Sequence, residues 1–161
     1  MSSQDQTTMK EGTGRDESLV PKRILQTAEA LPSLSRFVEG IRAARMEGEL
    51  TAPGWRTLFA PTNEALEAAP KDFWNELLKP ENNVRLRSIV ALHIVRGRQL
   101  LIDLKTAATV KSLGGEPIPV SLEGPNASFG DARIVRADIA CTNGQLHFID
   151  KVVIREYSYA G

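Results

Sequence analysis

Few side chains in this sequence are suited to chemistry, and their spacing decides which kind. There are two histidines, His93 and His147, and one cysteine, Cys141. Asp150 lies three residues after His147, and Ser112, Ser121 and Ser128 supply hydroxyls that folding could bring near. An imidazole set between a carboxylate and a hydroxyl is the arrangement of a nucleophilic triad. No G-x-S-x-G turn is present to expose such a serine, so no acyl-transfer site is read here. A metal would need carboxylates in addition to the two imidazoles, and no H-E-x-x-H pairing sets two ligands on one helix face. Gly114-Gly115 is not followed by Gly-Lys-Ser/Thr, so it reads as a turn and not as a phosphate loop. Cys141 has no thiol partner and reads as a small hydrophobe in or beside a strand. Arg85, Arg87, Arg96 and Arg98 make the densest positive group. They read as solvated residues on a helix face and a loop, with an acidic glycan or protein surface as the functional alternative. No catalytic, cofactor or metal residue is assigned.

Local sequence gives the reactive groups structural roles instead. His93 stands among apolar neighbours at a helix-to-strand junction, so it reads as buried and hydrogen-bonded. His147 alternates with Leu146 and Phe148 and should point away from both. Asp150 is expected to satisfy backbone donors or pair with a base near the last strand.

The elements that must position these groups follow from composition and periodicity. A chain of 161 residues suits one domain, and its 42% hydrophobic content is enough for a core. Twenty basic and 20 acidic residues cancel, so no strong field gathers nucleic acid or anionic lipid. No apolar run approaches the roughly 20 residues that span a bilayer, so an integral membrane protein is not expected. Residues 1–18 are polar and read as a disordered tail. They lack the apolar centre of a secretory signal, and the globular part is placed at residues 19–161.

Helices are predicted over 22–30, after Ser33, after Thr62 or Asn63 as N-cap to about Ala69, over 71–78 and over 81–92. In the last of these, Val84, Leu86, Ile89, Val90 and Leu92 form the apolar face. Thr57 to Ala60 is a short strand ended by Pro61, and β character returns at His93-Ile94-Val95. From Thr109 onward, short apolar runs are punctuated by Gly114-Gly115, Gly124-Pro125, Gly130 and Asn143-Gly144. Asn143-Gly144 predicts a tight primed turn with positive φ at both central residues. Helices followed by strands predict an α+β fold with helices packed on a mostly antiparallel sheet. The Phe59 and Phe148 stretches are expected to meet as neighbouring layers of one interior.

Three segments carry a family resemblance. Thr57-Leu58-Phe59-Ala60-Pro61-Thr62-Asn63-Glu64-Ala65-Leu66 is close to a "TVFAPTDEAF" pattern. Glu81-Asn82-Asn83 leads through a helix to His93-Ile94-Val95-Arg96-Gly97, similar to "HVV-x-G". Asn143-Gly144-Gln145-Leu146-His147-Phe148-Ile149-Asp150-Lys151-Val152-Val153 is similar to "NG-x-IH-x-IDKVL". In this order the segments resemble the fasciclin (FAS1) domain from about Leu19 to Ile154. Leu92 holds the place before His93 where the family often has Tyr, and Arg56 precedes Thr57 where an aromatic is usual.

The resemblance implies a wedge of about seven strands with helices around it. It also implies a non-catalytic, matrix-like adhesion or recognition module binding a protein or glycan ligand, without a cofactor. Family members are usually extracellular or periplasmic. In some animal members an Asp-Ile pair shortly before the Asn-Gly turn is implicated in integrin recognition, and Asp138-Ile139 occupies that place. The candidate contact residues are therefore Asp138, Ile139, Leu92 and His93, and loss of the Asp138 side chain is expected to leave stability unchanged. The alternatives are a small-molecule-binding or hydrolytic protein with a helix–sheet pocket, or an intracellular structural protein.

Overall fold

The computed structural model describes residues 22–70 and 72–154, so the predicted polar tail lies outside the described residues. Helices α1 (Ile24–Glu29) and α2 (Ser35–Ala43) lead to strand β1 (Arg56–Pro61). Then come α3 (Asn63–Glu67), α4 (Phe73–Leu77), α5 (Asn83–Leu92), β2 (Ile94–Arg96) and α6 (Leu104–Ala107). The chain ends in β3 (Thr109–Lys111), β4 (Pro117–Glu123), β5 (Asn126–Phe129), β6 (Ala132–Cys141) and β7 (Gly144–Ile149).

The helices begin where local chemistry allows. Of the two candidate caps, Thr62 caps α3, its hydroxyl accepting the Ala65 N–H at 3.2 Å. Asn63 has a different task, since its side-chain oxygen accepts the Arg36 N–H at 2.9 Å and ties α3 to α2. Gly40 makes room for α4: a Cβ there would meet the Trp74 ring at 2.2 Å. Val84 departs from its predicted place on the apolar face, being 81% exposed, because α5 buries Leu86, Ile89 and Val90 on a narrower stripe.

The strands form one seven-stranded sheet in the order β2-β1-β7-β6-β5-β4-β3. Only β1 with β7 is parallel; the five other pairings are antiparallel. The sheet curls until its ends meet: Val95 of β2 bridges Ser112 just after β3, and the Leu113 N–H reaches the Ile94 carbonyl at 2.8 Å. Pro117 and Pro119, which cannot donate to a ladder, alternate with the buried Ile118 and Val120 on β4.

The first and last of the three resembling segments do pair, Thr57 to Pro61 beside Gln145 to Ile149, but the single interior expected from them is two interiors. Side chains on a strand alternate between faces. Phe148 lies opposite Ala60 and joins the helix-covered core with Leu58, Phe37 and Ile89. Phe59 lies opposite His147 and joins a second core, enclosed by the curled sheet, with Val110, Ile118 and Phe129. Every residue of β7 is buried, because the strand has a core on each side.

The hairpin into β7 forms, with Thr142 and Asn143 as its loop and Cys141 opposite Gly144. Neither loop residue has positive φ, so it is not the primed turn predicted. Asn143 is used otherwise. Its side chain accepts the Ile24 N–H at 2.9 Å and donates to the Leu50 carbonyl at 2.6 Å, while its own carbonyl accepts the Arg56 N–H at 3.0 Å. Gly144 is required by close approach: a Cβ there would lie 1.6 Å from the Arg56 carbonyl oxygen.

Candidate ligand-contact site

Both histidines are 0% exposed, and every ring nitrogen has a backbone partner. His93 closes α5. Its Nδ1–H donates to the Ile89 carbonyl at 2.8 Å, and Nε2 accepts the Val153 N–H at 2.9 Å. These partners require the neutral Nδ1–H tautomer. The ring lies 5.3 Å from Phe37 and 6.4 Å from Phe129, so it bridges the two cores. Burial drives its pKa down to about 4, against a smaller upward pull from the Ile89 carbonyl.

His147 takes the opposite tautomer. Its Nδ1 accepts the Asp138 N–H at 3.1 Å, and Nε2–H donates to the Gln99 carbonyl at 2.7 Å. The ring stacks on Phe59 at 5.0 Å, on the face opposite Leu146 and Phe148, as the alternation predicts. Burial lowers its pKa, opposed by the Gln99 carbonyl and then by the Asp138 charge. Asp150 belongs to a separate set: its carboxylate accepts the Arg133 N–H at 2.7 Å, and its own N–H donates to the Arg133 carbonyl. His93, His147 and Asp150 thus serve different backbone groups. Ser121 and Ser128 bond each other across β4 and β5 at 2.7 Å. Burial raises the Cys141 thiol pKa, and the thiol faces Thr27 at 3.6 Å.

The candidate contact residues separate by burial. Leu92 is 3% exposed and belongs to the second core, and His93 is enclosed as described. Neither reaches the surface, because both end a helix wedged between two apolar layers; as contact residues they are withdrawn. Ile139 is half-buried and packs against the helix-covered core. Asp138 is exposed.

Asp138 owes its place to β6. Its pairing with β7 slips between Ile134 and Arg136 and again between Arg136 and Ile139, the signature of bulges. Asp138 sits in the second slip at φ 61, a left-handed conformation that Asp tolerates better than most residues. Its carboxylate accepts the Leu101 N–H at 2.7 Å. That bond fixes the turn Leu101–Asp103, on which Ile102 stands 62% exposed. Sequence reading missed Gln99, Leu101 and Ile102, because no local pattern reveals that a loop some 37 residues earlier meets Asp138. Asp138 is also structural, contrary to expectation, since alanine would lose both the Leu101 bond and the tolerance for positive φ.

The arginine group disperses in the same way. Arg85 lies over the Phe73 ring, Arg98 over the Trp55 ring, and Arg96 is at the end of edge strand β2.

A family model for the fasciclin domain matches residues 32–155. This chain belongs to the fasciclin domain family. Protein sll1483 of Synechocystis sp. is 32% identical over 131 residues, which cover 81% of this chain and 72% of that protein. Transforming growth factor-beta-induced protein ig-h3 of Sus scrofa is 35% identical over 121 residues, covering 74% of this chain and only 17% of that one. Among solved structures, a FAS1 domain pair from the insect cell adhesion molecule Fasciclin I superposes with a TM-score of 0.74 at 18% identity. It covers 84% of this chain and 52% of the pair. The FAS1 fold is therefore the α+β wedge expected, with the parallel β1–β7 pair joining the two signature segments at its centre. Among the described residues no helix is long and apolar enough to cross a membrane.

Proposed function

We propose that this fasciclin domain is a non-catalytic adhesion or recognition module that binds a protein or glycan partner through its outer surface. The contact face we assign is the Asp138–Ile139 bulge with the adjoining Leu101–Asp103 turn. One observation carries the assignment. The bulge is clamped from both sides, by Asp138 N–H to His147 and by the Asp138 carboxylate to Leu101, so a charged group and the apolar Ile102 are held together at the surface. A rigid pairing of charge and apolar anchor lowers the entropy cost of binding. The non-catalytic reading is supported by the histidines, whose ring nitrogens are all committed to backbone groups. The likeness to a domain pair from a cell adhesion molecule agrees with it.

Beads coated with the purified domain and washed over cells of the source organism test this reading. Asp138→Asn keeps the left-handed backbone and an acceptor oxygen while removing the charge; Ile102→Glu removes the exposed anchor. Each is expected to weaken retention by about tenfold, the loss of one strong contact, with the melting midpoint unchanged. Equal retention of wild type and both variants would place the contact face elsewhere.

A further inference from the structure

The formal charges of this chain cancel, yet one cavity is lined by charge of a single sign. It lies where the curled sheet closes, between β2, β3 and the segment that carries α6, and has a volume of about 480 Å³. Small-molecule sites generally fall between about 300 and 1,000 Å³. Arg96 and Lys111 line it, and no carboxylate is among the lining residues. Neither cation has an ion-pair partner among the described residues. Gln99, Thr109 and Ser112 add uncharged hydrogen-bonding groups, and Val95 and Val110 form the apolar base.

Two walls are fixed in place. The Gln99 N–H donates to the Thr57 hydroxyl at 2.8 Å, and the Gln99 carbonyl accepts from His147 at 2.7 Å. Both partners are buried strand residues, so the Gln99 backbone is tied to the rigid centre of the sheet. On the other side Ala108 stands between the lining residues Ala107 and Thr109 at φ 63, ψ −50. Such a conformation is strained for an alanine, and strain of this kind gathers at ligand sites. The Val120 N–H holds it by donating to the Ala108 carbonyl at 2.9 Å. The strained residue turns the chain directly from α6 into β3 and so sets Thr109 and Lys111 opposite Arg96.

We propose that this cavity binds a small polyhydroxylated carboxylate, the chemistry of a uronic acid residue, with Arg96 and Lys111 on the carboxylate and Gln99 and Thr109 on hydroxyls. Two cations without an ion-pair partner among the described residues select an anion. The uncharged polar groups match hydroxyls, which a purely apolar acid lacks. The proposal goes beyond the adhesion reading and does not rest on it.

The test is an NMR titration of the ¹⁵N-labelled full chain with D-glucuronate and, separately, with an oligogalacturonate. Methyl glucoside, sulfate and benzoate serve as controls. Saturable shifts are expected at the amides of Val95, Gln99, Thr109, Lys111 and Ser112, weakening as salt rises. Arg96→Gln and Lys111→Gln are each expected to lower affinity about tenfold, the loss of one charge-assisted bond. Their melting midpoints are expected to be unchanged because both side chains are exposed, and Arg96→Lys and Lys111→Arg should restore part of the binding. Binding of both uronates supports the site with a free acid as a sufficient ligand; binding of the oligomer alone supports it with an acidic glycan as the source. No saturable shift with either uronate would overturn the proposal. So would equal shifts from sulfate or benzoate, or affinity indifferent to both glutamine substitutions.

Discussion

Acidification from about pH 7 toward pH 4 probes the interior through His93. Both ring nitrogens serve backbone groups only while the imidazole is neutral, and the nearest rings are those of Phe37 and Phe129. Above the ordinary value of 6.5 neither the folded nor the unfolded chain holds the proton. Below 6.5 the unfolded chain takes it up, while the folded chain resists until about 4. The unfolded state therefore gains protons first, and stability falls as pH falls through this window. Each unit of pKa difference is worth about 1.4 kcal/mol, so the full effect is about 3 kcal/mol, with about 1 kcal/mol lost between pH 6.5 and 5.5. Native carboxylates contribute little in that upper part, because they ionise mainly below about pH 5. His147 is shifted in the same direction by burial and adds to the slope. Urea melts at half-unit pH steps measure the slope, and the Cε1–H resonances of the two rings give the folded-state pKa of each separately. ¹⁵N shifts should also report opposite tautomers, Nδ1–H for His93 and Nε2–H for His147. A His93 resonance titrating near 6.5 in the folded protein, or a urea midpoint flat from pH 7 to pH 5, would refute the reasoning.

Two further perturbations address the cores and the hairpin. Phe59 stacks on Phe129 at 4.0 Å and on His147 at 5.0 Å, so Phe59→Ala should cost about 3–5 kcal/mol in urea unfolding, with Ile149→Ala at about 2–5 kcal/mol from the same core. A change near zero for either would mean that the second core is not packed. Asn143→Ala removes the acceptor for Ile24 and the donor to Leu50, leaving both backbone groups unsatisfied, and should cost about 2–4 kcal/mol. Hydrogen exchange at Ile24 should quicken in that variant; an unchanged rate would mean that α1 is held by packing alone.

Particular residues show how far the sequence could be read. Thr62 capped its helix, His93 was buried at the end of one, and Asp150 satisfied a backbone donor, because each depends on neighbours a few residues away or on the general cost of burying a polar group. Asp138 was picked out by resemblance, but its clamp was not, since Leu101 and His147 reach it from other elements. Leu92 reads both as part of its helix's apolar face and as a contact candidate; the second apolar layer makes it core. Val84 was misplaced because apolar spacing alone does not fix the width of the stripe a helix buries.

From residue types alone came the α+β class and the order of helix-forming and strand-forming halves. Those properties are local: alternation, turn residues and caps act within a few positions. Tertiary structure alone decided that β7 has a core on each face, that β6 changes phase at Asp138, and that Arg96 and Lys111 line one cavity. The physical reason is closure. A sheet that curls until β2 meets β3 creates an inner face and a cleft at the seam, and the side chains that meet there are distant in sequence and carry no shared pattern along it.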